Sequence, residues 1–73
     1  MFQLDLMDLP PAHHAQHLTA ALDALAPGEA FTFRCDHDPA PLYYRCDRTR
    51  PGLASWQYLQ AGPVHWVVRV VRR

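Results

Sequence analysis

Proline and glycine punctuate this chain so closely that no uninterrupted stretch can hold more than one short helix or one strand. The breaks fall at Leu9-Pro10-Pro11, Ala26-Pro27-Gly28, Asp38-Pro39, Arg50-Pro51-Gly52 and Ala61-Gly62-Pro63. Proline interrupts helix interiors and strand ladders, while glycine supplies the exits from helices and the tight turns between strands. Each segment between breaks then has its own hydrophobic period. Phe2-Gln3-Leu4-Asp5-Leu6 alternates apolar and polar, the signature of a first strand. After the doubled proline a helix is expected from about Pro11, with Pro11, His14, Ala15, Leu18, Ala21, Leu22 and Leu25 on one stripe. Ala30 to Cys35 reads as a second strand with Phe31, Phe33 and Cys35 on one face. A second helix follows from Pro39 to Arg48, with Leu42, Cys46 and Thr49 on one side and Tyr43 flanking them. A third strand covers about Leu53 to Gln60, with Ala54, Trp56 and Tyr58 sharing a face. The fourth, Val64 to Val71, is rich in β-branched residues.

The resulting order, β-α-β-α-β-β, fits a single domain over residues 1–73. A strand–helix–strand unit favours parallel first and second strands with a right-handed crossover, and the last two strands should form an antiparallel hairpin. Two helices cannot cover both faces of four strands in a chain this small. The expected fold is an α/β (α+β) two-layer sandwich: a mixed four-stranded sheet with both helices on one face. The apolar last strand is expected at an edge, where it and the bare face could support a dimer.

Composition narrows the function. The 73 residues are 49% hydrophobic, enough for a small core, and seven acidic side chains balance seven arginines with no lysine. A formal net charge of zero argues against a nucleic-acid binder, which ordinarily carries a basic excess against phosphates. No apolar run approaches the ~20 residues a membrane helix needs, so no membrane contact is expected. Asp5 and Asp8 near the start do not suit a secretory leader, and Cys35 and Cys46 form no zinc spacing and no CxxC pair. Both features predict a cytoplasmic chain with two buried, reduced thiols.

The residues most in need of a chemical reason are Asp36-His37-Asp38-Pro39, between the second strand and the second helix. Asp38 suits an N-cap, with Pro39 as the first helical residue. The carboxyl ends of parallel strands and the starts of the following helices share one sheet edge, where ligands commonly bind in α/β folds. That edge gathers Asp8 and His13 from the first loop with Asp36, His37 and Asp38 from the second. Two helix N-termini there favour an anion or a deprotonated ligand. The competing reading for His37 is a loop brace held by local hydrogen bonds.

His13 and His17 stand four residues apart, the spacing at which two imidazoles on one helical face can share a metal. With His37 they make a candidate transition-metal set, against the alternative that both are solvated. His14, on the apolar stripe, reads instead as a packed, hydrogen-bonded histidine. No catalytic residues are assigned. Ser55 lies within a strand, no glycine-rich phosphate loop exists, and Cys35 precedes aspartates that would raise its pKa. Trp56, Tyr58 and Trp66 read as core or hairpin packing.

The segment Asp36-His37-Asp38-Pro39-x-Pro41-Leu42 resembles that of a family of small bacterial domains of unknown function, related in fold to the TusA/SirA sulfur carriers and often found beside hemerythrin-like domains. Matches continue at Leu4-Asp5, Leu9-Pro10-Pro11, Leu22-Asp23-Ala24-Leu25, Pro27-Gly28-Glu29, Arg50-Pro51-Gly52, Ser55-Trp56-x-Tyr58-Leu59 and Gly62-Pro63-x-x-Trp66. The resemblance implies the two-layer fold and a protein partner such as a hemerythrin-like protein. The sulfur carriers place a cysteine at the start of the first helix. Here that stretch is Leu9-Pro10-Pro11-Ala12, so leucine stands where the nucleophile would be. Three positions depart from the related domains: Met7 and Asp8 replace an arginine and a glycine, and Ala15 takes the usual place of a histidine. The expected function is a non-catalytic binding module with its crevice at His37. The alternative is a sulfur-relay or redox protein that uses Cys35 or Cys46.

Overall fold

In a computed structural model describing residues 2–73, the first strand β1 (Phe2–Asp5) is followed by two 3-10 turns, Leu6–Asp8 and Pro11–His13. Helix α1 (His14–Asp23), strand β2 (Ala30–Cys35), helix α2 (Ala40–Thr49) and strands β3 (Ala54–Ala61) and β4 (Trp66–Arg72) complete the chain. β1 is shorter than its alternation suggests because the Asp5 carboxylate accepts the Met7 N–H at 3.0 Å and bends the chain. The turn drops Leu6 into the core, where it is fully buried. Proline-rich backbone at residues 10 and 11 delays the α-helical ladder until His14.

The strands lie in the order β1-β2-β4-β3, with β1 and β2 parallel and the other pairs antiparallel. The fold is thus the mixed four-stranded sheet with two helices read from the sequence. The last strand, however, is not an edge. β4 lies inside the sheet between β2 and β3, and the edges are β1 and β3. Along β4, Val68 and Val70 are buried in the core, while Val67 and Val71 on the reverse face are partly covered.

The pairings Phe31↔Val70 and Phe33↔Val68 put four core side chains on one sheet face. Leu18 and Leu22 of α1 and Leu42 and Cys46 of α2 pack into the same cluster, so both helices cover that face. Thr49 is exposed rather than part of the buried stripe; its hydroxyl donates back to the Cys46 carbonyl at 3.2 Å. Trp56 packs edge-on against Phe33 and Tyr43, with ring centroids 5.2 and 5.3 Å apart. The reverse face is polar, with Arg34 paired to Asp5 at 2.7 Å and Arg69 donating to Gln57.

The helices are tied at their far ends by Arg50, whose Nε and Nη2 donate to the two Asp23 oxygens at 2.8 and 2.6 Å. At the hairpin, Gly62 has φ +76°, and a Cβ there would lie 2.9 Å from the Trp66 ring, so only glycine fits. β3 carries a register shift between Tyr58 and Gln60 that leaves Leu59 bulged out.

Candidate functional site

The loop after β2 is built by short bonds inside and around Asp36-His37-Asp38. The Cys35 thiol donates to the His37 carbonyl at 3.1 Å, which curls the backbone as it leaves the strand. Asp38 Oδ1 accepts the Ala40 N–H at 3.0 Å and so meets one of the free donors at the start of α2. The Tyr58 hydroxyl reaches the same oxygen at 3.4 Å. α2 starts one residue later than expected, with Pro39 at the cap and buried, so Asp38 caps from just outside. Since the carboxylate already occupies that helix end, the loop does not present it to an external anion.

His37 is held on two sides. Asp36 Oδ1 accepts a hydrogen bond from His37 Nδ1 at 3.0 Å, which places the proton there and leaves Nε2 as the nitrogen not bonded to Asp36. Its ring stacks on that of His14, with centroids 5.8 Å apart and planes 13° from parallel. His14 is buried to 3% exposure, and its Nε2 donates to the Leu9 carbonyl at 3.0 Å. It is therefore the packed, hydrogen-bonded histidine anticipated from the apolar stripe. The two loops meet through this chain: Leu9, His14, His37, Asp36. His37 nevertheless keeps 49% of its side chain exposed. The hydrogen bond from His37 is the main cause of a lowered Asp36 pKa.

Asp8, His13 and His17 are exposed, and among the described residues no hydrogen bond, ion pair or ring contact joins them to His37. The set His13, His17 and His37 is not assembled: among the described residues, no three histidine, cysteine or carboxylate side chains are arranged to hold a metal ion. His37 instead bonds Asp36 and stacks on His14.

Neither cysteine is presented for sulfur or redox chemistry. Cys35 is fully buried and Cys46 is 4% exposed. Burial is the main cause of a raised pKa for both thiols, and Asp36 and Asp38 push Cys35 further up. A thiol kept protonated and out of solvent is a poor nucleophile.

A groove of about 340 Å³ opens elsewhere, between α2 and the edge strand β3. Tyr43 and Tyr44 line it from α2, Ser55, Trp56 and Tyr58 from β3, and Arg73 from the chain end. The sequence contained the signal, aromatic pairs at Tyr43-Tyr44 and Trp56-x-Tyr58. Reading the strand aromatics as packing was right for Trp56, but Tyr58 is 45% exposed. Burial, followed by the Asp38 carboxylate, raises the Tyr58 pKa and keeps its hydroxyl a donor.

The family described as an uncharacterized conserved protein, DUF2249, matches residues 3–72, and the chain belongs to that family. No curated protein matches it. Among solved structures, HP1264 from Helicobacter pylori, determined in solution, is similar at a TM-score of 0.79. The match covers 100% of this chain and 99% of that one at 13% identity, a likeness of fold alone. Among the described residues no helix is long and apolar enough to cross a membrane.

Proposed function

We propose that this DUF2249 domain is a non-catalytic binding module that reads a ligand or partner group through His37. The observation that carries this is the half-exposed imidazole fixed between Asp36 and His14, with its Nε2 left free of Asp36. An orienting carboxylate on one ring nitrogen and a packed ring beneath set the direction of the other nitrogen before any ligand arrives, which lowers the ordering cost of binding. Exposed Asp36 and Asp38 flank it and favour hydrogen-bond donors or a cationic group. Asp8 and His13, on the neighbouring loop, make the outer rim. A hemerythrin-like protein is the partner suggested by the family resemblance, and a cytoplasmic setting suits two buried free thiols.

The test is a backbone NMR titration of the whole chain with zinc(II), nickel(II), phosphate and a purified hemerythrin-like protein. Shifts should concentrate in residues 8–14 and 36–40 and vanish in His37→Ala. If those segments stay still with every probe, the reading is wrong. The sulfur-relay alternative has no supporting geometry at Cys35 or Cys46.

A further inference from the structure

β3 is an edge strand with an unusual lack of protection. In the order β1-β2-β4-β3 its outer side has no strand partner among the described residues. Natural edges are commonly blunted by charge, proline or shortness. The eight residues Ala-Ser-Trp-Gln-Tyr-Leu-Gln-Ala carry no charge and no proline, and the bulge comes only after Tyr58. The opposite edge, β1, is four residues long and carries Asp5 in an ion pair. Exposed apolar side chains collect on the β3 side: Tyr58 and Leu59 on the strand, Tyr44 at 66% exposure on the adjoining helix.

The ends of this strip differ in charge. At the start of β3 the Arg73 N–H donates to the Leu53 carbonyl at 2.8 Å, and the Arg73 side chain lines the groove. At the other end the Tyr58 hydroxyl meets Asp38. A cation at one end and a carboxylate at the other make the strip self-complementary under a two-fold axis. Antiparallel pairing sets the start of one β3 against the end of the other. We propose that two copies of this chain pair antiparallel along Ala54–Tyr58, forming a continuous eight-stranded sheet. Each Arg73 then faces the Asp38 end of the other copy, and Tyr44 and Tyr58 are covered at the seam. Main-chain hydrogen bonds hold the pair, and the charged ends set its register.

The experiment is sedimentation equilibrium of the full chain over a range of concentrations, with melting curves for each variant. The expected result is reversible association from the 8.4 kDa monomer to a species of twice that mass. Arg73→Glu and Tyr44→Lys should each raise the dissociation constant about tenfold or more, equivalent to about 1.4 kcal/mol, with unchanged melting curves of the monomer. A chain that remains monomeric at ~1 mM overturns the proposal and leaves the edge to an extended peptide of another protein. A dimer indifferent to both substitutions also overturns it, because its seam would lie elsewhere.

Discussion

His14 and His37 show how one buried side chain can set the behaviour of an exposed one. His14 spends its Nε2 proton on the Leu9 carbonyl and offers its ring face to His37. Its position on the apolar stripe was readable from the sequence, since it recurs with Leu18 and Leu22 at helical spacing. The stacking was not, because it joins residues of different elements. His14→Ala should lower stability by about 2 kcal/mol, combining a lost buried hydrogen bond with a partial cavity. It should also release His37, so that the His37 side-chain resonances move toward those of a free histidine. Urea titration and side-chain NMR check the two effects. A variant that loses stability but leaves His37 unmoved would show that Asp36 alone orients the ring.

At the scale of elements, α2 depends on a cap that sits just outside it. Asp38 accepts the Ala40 N–H and the Tyr58 hydroxyl with the same oxygen, so it links the helix start to β3 as well. Asp38→Ala should cost about 1 kcal/mol, the usual cost of a lost N-cap. Asp38→Asn keeps an acceptor oxygen and should recover most of it. Chemical denaturation of both variants decides; equal losses would mean that charge, not the hydrogen bond, matters. The boundary of α2 was legible to within one residue because proline restricts the backbone before it. The place of β4 was not legible. Its valines suit an interior strand as well as an apolar edge, and only the pairing with both β2 and β3 separates the two.

For the molecule as a whole, the polar contacts that cross between elements carry a pH signature. Hydrogen bonds from Arg34 and Arg50 lower the pKa of Asp5 and Asp23. A carboxylate with a folded pKa below its unfolded one stabilises the fold above the unfolded value, about 3.9, and loses that contribution as pH falls through the folded value. The melting temperature should therefore be level near neutrality and decline below about pH 4. Asp23→Asn should lower it at pH 7 and by less at ~pH 2, where the parent carboxyl is also protonated. Calorimetry at the two pH values checks this; an equal difference at both would remove the Asp23–Arg50 pair as the cause.

Element order, the inward faces of β2 and α1, and the turns were legible in the amino-acid sequence, because hydrophobic period and proline or glycine placement act over a few neighbouring residues. It also carried the Asp36–Asp38 loop and the packed His14. The enclosed place of β4, the open edge of β3, the stacking of His37 on His14 and the groove beside Tyr44 and Tyr58 appear only in the folded chain. Each of those depends on which elements meet in space. Strand order and the contacts between helix and sheet are set by burial of the whole chain at once, which no local pattern records.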